Sequence, residues 1–259
     1  MSDPSGLIVE AGAGVVTMTL DRPGRRNALS EALLSRIEEA LEAIAGDDSA
    51  RVVVVAANGS IFSSGHDLAE MVNRSEVEYA GLFGRCSRVM QRLRTMPQPV
   101  IARVQGPALA AGCQLVASCD LAVASESATF STPGVKIGLF CSTPMIPLVR
   151  AIPPRAAMEM LLTGESIDAH RALALGLINR VVPLDQLDAV VGEWADAIKS
   201  ASPLVVRIGK AAFYDQLALN EPSAYIRGTA VMVDNATRLD AQEGIGAFLA
   251  KRRPNWTGI

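Results

Sequence analysis

Arg51-Val52-Val53-Val54-Val55-Ala56 is an almost unbroken apolar run rich in β-branched residues. A strand wetted on one face alternates apolar with polar side chains. This one does not, so both of its faces are predicted to be covered, as in a parallel sheet flanked by helices. The neighbouring segments agree. Val15-Val16-Thr17-Met18-Thr19-Leu20 reads as another strand, stopped by Asp21-Arg22-Pro23-Gly24. Between the two, Ser30 can cap a helix whose apolar residues Leu33, Leu34, Ile37, Leu41 and Ile44 make one stripe, with Gly46 closing it.

Beyond the run, Asn58-Gly59 turns the chain. A second long helix is predicted over about 75–96, with Tyr79, Leu82, Phe83, Cys86, Met90 and Leu93 on one face. Pro97 and Pro99 end it, and Val100-Ile101-Ala102-Arg103-Val104 is the next strand. Gly106-Pro107 opens a loop of small residues into a short helix near Gly112-Cys113-Gln114-Leu115, followed by a strand at Leu121-Ala122-Val123-Ala124. Strands alternating with helices define an α/β class with right-handed crossovers. From about 185 onward helical patterns dominate, punctuated by Pro203 and Pro222. The predicted division is an α/β core over 1–200 and a helical region over 201–259.

Composition removes several function classes. The 259 residues carry 24 Lys+Arg against 27 Asp+Glu, a net charge of −3, and no clustered basic face of the kind nucleic acid requires. A hydrophobic fraction of 49% excludes wholesale disorder. Two histidines leave little room for a His-rich metal site. Cys86, Cys113, Cys119 and Cys141 lack paired C-x-x-C spacing and sit among apolar or small residues, so they read as buried thiols in a reducing compartment. Met1-Ser2-Asp3-Pro4-Ser5-Gly6 has neither a basic n-region nor an apolar h-region, and no run reaches the ~18 apolar residues of a membrane span. The expectation is a soluble cytoplasmic protein with no membrane and no nucleic-acid partner.

Familiar catalytic signatures are missing. Gly12-Ala13-Gly14 precedes a strand instead of following one, which rules out a dinucleotide fingerprint, and no nucleophile elbow occurs. Three small-residue segments remain: Phe62-Ser63-Ser64-Gly65-His66-Asp67-Leu68, Gly106-Pro107-Ala108-Leu109-Ala110-Ala111-Gly112-Cys113-Gln114, and Thr132-Pro133-Gly134-Val135-Lys136-Ile137-Gly138-Leu139. The first two run into predicted helix starts, where free backbone N–H groups can stabilise developing negative charge. Tight packing of strand to helix is the competing explanation.

Taken in order, these segments resemble the enoyl-CoA hydratase/isomerase (crotonase) superfamily. Leu20-Asp21-Arg22-Pro23 with Asn27-Ala28-Leu29, Leu161-Leu162-Thr163-Gly164-Glu165, Ala172-Leu173-Ala174-Leu175-Gly176-Leu177 and Ile178-Asn179-Arg180-Val181-Val182-Pro183 extend the match. Glu243-Gly244-Ile245-Gly246-Ala247-Phe248-Leu249-Ala250-Lys251-Arg252 carries it into the tail, so the resemblance spans about 7–256. It implies a spiral of repeated ββα units with a C-terminal helical oligomerisation region, assembled as a homotrimer or a dimer of trimers. Ala230, Val231 and Met232 are candidates for that contact. It also implies an acyl-CoA thioester as substrate, with coenzyme A entering as part of the substrate and no other cofactor.

The same resemblance assigns the backbone N–H groups of His66 and Ala111 to an oxyanion hole for the thioester oxygen. The family's hydratases hold a water between two glutamates; the matching positions here are Gln114 and Gly134. Neither can move a proton, and general acid–base catalysis is worth on the order of 10²–10⁴-fold, so hydration by the usual route is predicted to be impaired. Glutamates restored at 114 and 134 together are expected to raise it if the backbone matches. The Δ3,Δ2-enoyl isomerases keep a carboxylate at the position of Gly134, so that route is weakened too.

Other roles follow by position. His66 is the leading substitute proton carrier, because imidazole titrates near physiological pH. Gln114 is expected to orient ligand. Ala28 matches a substrate-binding position, and the loop of Ser64, Gly65, Asp67 and Leu68 matches positions that hold the adenine of coenzyme A, Asp67 doubling as a tether for a helix start. Arg25 and Arg26 match phosphate-binding positions; a solvated basic face is the alternative for them and for Lys251-Arg252-Arg253. Leu139, Phe140 and Cys141, with Ser142, match the acyl pocket. Phe248 and Lys251 match tail positions that reach a neighbouring subunit's coenzyme A. Cys113 reads as core, His170 as surface, and Glu70 as a carboxylate that could enter from an unaligned segment. The enzyme readings are an enoyl-CoA hydratase-like lyase of fatty-acyl metabolism with an atypical site, or a decarboxylase or other enolate-forming lyase. The reading from another class is a thioester-binding protein without turnover.

Overall fold

The computed structural model describes residues 6–259; Met1–Ser5, read above for a leader, lie outside them. Strands β1 (Leu7–Gly12), β2 (Val15–Leu20), β3 (Val52–Ala57), β4 (Val100–Val104), β6 (Leu121–Ser125) and β9 (Arg180–Val182) form one sheet in the order β1-β2-β3-β4-β6-β9. Only the β1–β2 pair is antiparallel. A second, small sheet joins β5 (Ala108–Leu109), β7 (Thr129–Ser131) and β8 (Ile167–Asp168).

The valine run is β3, and every residue of it is buried. Val53 and Val55 pack into the larger core with helices α1 (Glu31–Ala45), α2 (Glu76–Thr95) and α3 (Ala111–Ser118). Val52 and Val54 face the other way, onto Leu187, Val191 and Ala195 of α7 (Leu187–Lys199). Two cores on opposite faces of one strand explain why the run contains no polar alternation. Helices α4 (Met145–Ala151), α5 (Pro154–Thr163) and α6 (Ala169–Leu175) continue the layer beyond the small sheet.

Local signals act where the chain placed them. Ser30 accepts from the Leu33 N–H at the start of α1, and Ser75 with Glu78 forms a complete capping box at the start of α2. Gly12-Ala13-Gly14 is a hairpin turn, with Ala13 at φ 49° and Gly14 at φ 80°. The strand before it, β1, has no counterpart in the sequence reading, because from Glu10 onward its residues are exposed and it lies at a sheet edge.

Residues 201–259 hold α8 (Pro203–Gln216), α9 (Glu221–Ala236) and α10 (Leu239–Leu249). Pro203 and Pro222 occupy first-turn positions of α8 and α9, where a missing N–H costs nothing. Lys210 pins α8 to the core: its Nζ donates to Leu93 O, Gln98 O and Asp120 Oδ2 at 2.7–2.8 Å. Tyr214 donates to the other Asp120 oxygen at 2.8 Å. Buried Asp240 ties down the chain end, accepting from Ser202, Thr257 and Gly258. Among the described residues no helix is long and apolar enough to cross a membrane.

Candidate active site

Two loops meet at the edge of the core. The first, 62–68, is held by Asn27, which is wholly buried and donates through Nδ2 to Asn58 O and Ile61 O at 2.8 Å each. Leu29 N–H donates to Gly65 O at 2.8 Å, and Asp67 N–H to Leu29 O at 3.4 Å. This parallel pairing brackets His66 and leaves its own N–H without an acceptor among the described residues.

The second loop is placed by Leu109 N–H, which donates to Ser63 O at 2.8 Å, and by Ala110 N–H, which donates to Ser131 O at 2.9 Å. Ala110 then takes φ 50° and ψ −117°, a conformation costly for any residue with a Cβ, of order 1–3 kcal/mol. That turn starts α3 abruptly, so the Ala111 N–H is a first-turn donor with no intrahelical partner. Two glycines let the loops touch. A Cβ at Gly65 (φ 90°) would lie 2.8 Å from Ala110 Cβ and 3.1 Å from Ala111 N; one at Gly112 would lie 2.4 Å from Ser63 O.

His66 and Ala111 open onto one cavity of about 420 Å³. Ser64, Leu68, Gly134, Leu139, Phe140 and Cys141 also line it. So do Met71, Phe83, Lys136, Ile137, Ser142, Thr143 and Pro144. Among the described residues, no aspartate or glutamate lines it. Glu70 is employed elsewhere, accepting from the Glu31 N–H at the start of α1 at 2.8 Å.

Gln114 lies one turn into α3, 3% exposed, and its Oε1 has no hydrogen-bond partner; it is not on the cavity wall. Gly134 is tighter than sequence comparison reveals. A Cβ there would stand 2.4 Å from Leu139 O and 2.8 Å from Cys141 Sγ. Leu139 N–H in turn donates to Gly134 O at 2.9 Å, closing the turn. The condition attached to restoring a glutamate pair, a matching backbone, is not met at residue 134, where the Leu139 carbonyl occupies the space a Cβ would take.

His66 is half-buried, with both ring nitrogens out of solvent and unpartnered; its ring meets Phe83 edge-on at 5.5 Å, and Phe83 stacks on Tyr79. Burial lowers its pKa from the ordinary 6.5, with the nearby Leu29 carbonyl opposing weakly, so the imidazole is neutral at pH 7. The thiols are inert. Burial pushes Cys86 and Cys113 up to about 12, and raises Cys119 and Cys141 as well. All four cysteines are free, and no cluster of His, Cys, Asp or Glu among the described residues could hold a metal.

The remaining assigned residues lie off the cavity wall. Ala28 is buried and its carbonyl accepts from Arg22 at 2.9 Å. Asp67 caps the turn Leu68–Met71, as anticipated, and pairs with Arg22 at 3.4 Å. Arg25 and Arg26 are exposed, with no ion pair among the described residues, and Gly65 is buried against the facing loop at Leu109–Ala111. Phe248 is 83% exposed near the end of α10, and Lys251 follows it at φ 51°. Phe83, read only as part of one face of a helix, and Lys136, quoted but given no role, are wall residues that the sequence reading did not assign to the site.

The model of the Enoyl-CoA hydratase/isomerase family matches residues 10–259. The chain belongs to that family, the crotonase superfamily. It is 48% identical over 245 residues to the rat mitochondrial enoyl-CoA hydratase domain-containing protein 3, covering 94% of this chain and 82% of that one. The crystal structure of the human protein of that name superposes with a TM-score of 0.95 at 46% identity, covering 97% of this chain and 100% of that one. An enoyl-CoA hydratase from Mycobacterium smegmatis superposes with a TM-score of 0.95 at 47% identity, covering 97% and 98%. The family's spiral fold is thus that of this crotonase. The expectation of a cytoplasmic protein does not stand: the rat, mouse and human relatives are named as mitochondrial proteins.

Proposed function

We propose that this crotonase-family protein binds an acyl-CoA thioester with the acyl group in the 420 Å³ cavity and the thioester oxygen between the His66 and Ala111 N–H groups. It is an enoyl-CoA hydratase-type lyase whose hydration is impaired. The observation that carries the reading is a pair of acceptor-free backbone donors opening onto a wall that has no carboxylate. Donors held in place toward developing charge contribute about 3–4 kcal/mol each in other enzymes. They polarise the carbonyl and stabilise an enolate, but they do not activate water.

The missing carboxylate favours a second reaction on the same site. When the acyl group carries a carboxylate on its α-carbon, breaking that C–C bond releases CO2 and leaves the electron pair in the thioester enolate. No protein base is needed. A proton from water, or relayed by His66, then quenches the α-carbon.

The two are separated by measuring crotonyl-CoA hydration, through loss of the conjugated thioester absorbance, beside CO2 release from malonyl-CoA. Slow hydration with measurable butyryl-CoA binding by calorimetry is expected. Hydration at the rate of a carboxylate-bearing hydratase overturns the impaired-hydratase reading. Binding without either turnover reduces the protein to a thioester-binding module. Failure to bind any acyl-CoA removes the whole proposal.

A further inference from the structure

Tyr79 and Phe83 stand about one turn apart on α2, on the face that the apolar stripe marked out. Phe83 is on the cavity wall and Tyr79 is not. Both nevertheless reach the chain around His66. Phe83 meets the imidazole edge-on with ring centroids 5.5 Å apart, and Tyr79 stacks on Phe83 at 6.2 Å with 11° between the ring planes. The Tyr79 hydroxyl donates to Met71 O at 2.5 Å. Met71 ends the turn Leu68–Met71, which begins two residues after His66, and Leu68 and Met71 are themselves wall residues.

Other ties hold this turn by its side chains: Asp67 pairs with Arg22 at 3.4 Å, and Glu70 accepts from the Glu31 N–H at 2.8 Å. The Tyr79 hydroxyl holds its backbone, just before the chain passes through exposed Val72 and through Asn73 at φ 54°. One side chain thus links two parts of the wall, the turn through Met71 and the helix through Phe83. An acyl chain gains dispersion energy only from surfaces that stay within contact distance of it, and a wall fixed in advance costs less to order on binding. We propose that Tyr79 is a positioning residue for the acyl group: acting through Met71 and Phe83, it fixes the His66 side of the cavity. The inference rests on the acyl-CoA reading above and adds to it a residue that does not touch the acyl group.

Calorimetric titrations of the full chain compare acetyl-CoA with hexanoyl-CoA, which differ only in methylenes. Each methylene taken out of water is worth about fourfold in affinity, so the wild-type chain is expected to bind the longer thioester at least about tenfold more tightly. Tyr79→Phe keeps the ring and deletes the hydroxyl. It should cut that ratio about fivefold, the weight of one net hydrogen bond, and leave acetyl-CoA affinity unchanged. Tyr79→Leu, which loses the stacked ring too, should cut the ratio further. Without ligand, amide exchange in Tyr79→Phe should quicken over 68–73 and match wild type over α1, and thermal melts check that the fold is intact. An unchanged ratio in Tyr79→Phe overturns the inference even where exchange quickens, because the tie is then structural alone. Unchanged exchange over 68–73 overturns it, and so does equal weakening of both thioesters. Equal wild-type affinity for the two thioesters would take the acyl group out of the cavity and the inference with it. If neither thioester binds the wild-type chain, the acyl-CoA reading itself falls.

Discussion

Gly134→Ala isolates the question of whether this site can regain a carboxylate. The added Cβ would stand 2.4 Å from Leu139 O, about 1 Å inside ordinary contact, and 2.8 Å from Cys141 Sγ. The thiol can rotate aside. The carbonyl cannot move without opening the turn closed by Leu139 N–H and Gly134 O at 2.9 Å. Overpacking of this kind costs about 1–3 kcal/mol, and losing the turn's hydrogen bond adds about 1 kcal/mol. The sum, about 2–4 kcal/mol, corresponds to a melting temperature lowered by roughly 5–15 °C in a chain near this size. Gly134→Glu should fall at least as far. The double variant Gln114→Glu with Gly134→Glu should fail to hydrate crotonyl-CoA appreciably, since its second carboxylate can enter only by displacing the loop. Adding Cys141→Ala should recover only part of the Gly134→Ala loss, because the backbone oxygen remains. Differential scanning calorimetry and the absorbance assay check these outcomes. A Gly134→Ala protein melting within about 2 °C of wild type, together with a double variant at least a hundredfold faster in hydration, would refute the reasoning.

Three further perturbations probe the frame and the imidazole. Lys210→Met leaves the Asp120 carboxylate without its ammonium in a mostly buried site; breaking such a pair costs about 3–5 kcal/mol, and urea titration should show a loss of that size. Burial alone would raise the Asp240 carboxyl, yet hydrogen bonds from Ser202, Thr257 and Gly258 outweigh it and hold the group at about 2. Its stabilisation is therefore complete above the ordinary 3.8 and declines as pH falls toward 2. Asp240→Asn should flatten that acid limb in urea titrations between pH 5 and 2.5, and an unchanged limb would contradict the role. For His66 the sign is set by burial, which lowers its pKa in the folded chain. The unfolded chain takes up a proton near 6.5 and the folded one does so only at lower pH, so stability is full above 6.5 and falls below it. His66→Phe should remove that component. His66→Ala keeps the backbone N–H and should leave thioester binding nearly intact; a loss of binding with an intact fold would argue against the backbone oxyanion hole.

Signals set by local chemistry were legible in the chain. The doubly buried β3, the Ser30 and Ser75 caps, and the small-residue loops at 62–68 and 106–114 follow from periodicity, capping chemistry and the need for close backbone approach. Edge strand β1 was not legible, because from Glu10 onward it is exposed and lacks a buried face to pattern. The small sheet escaped for a different reason: β5 and β8 are two residues each, below any periodicity. Within the site, the resemblance located the wall residues His66, Ala111, Gly134 and Leu139–Cys141. It could not reveal that Leu139 O crowds Gly134, a contact made through space across a turn. Nor could it give Lys136 a place on the wall, since a lone lysine in sequence is indistinguishable from a solvated one.

The asymmetry between what this site keeps and what it lacks has a structural cause. The donors proposed for the thioester oxygen are the backbone N–H groups of His66 and Ala111, fixed by Asn27, by the Leu29 pairing and by the close approach of Gly65 and Gly112 to the facing loop. A side-chain change at His66 or Ala111 leaves an N–H in place, so this function tolerates sequence drift. The proton-transfer function of a hydratase resides in side chains and vanishes with two substitutions. Once residue 134 is glycine, the 134–141 turn can close on itself, and the closed turn then resists any Cβ. That closure also places Leu139, Phe140 and Cys141 on the cavity wall. A side chain at residue 134 would therefore have to displace the Leu139 carbonyl before it could reach the cavity. On the proposed reading, a substrate that brings its own route to an enolate suits a wall without a carboxylate among the described residues better than one that needs activated water.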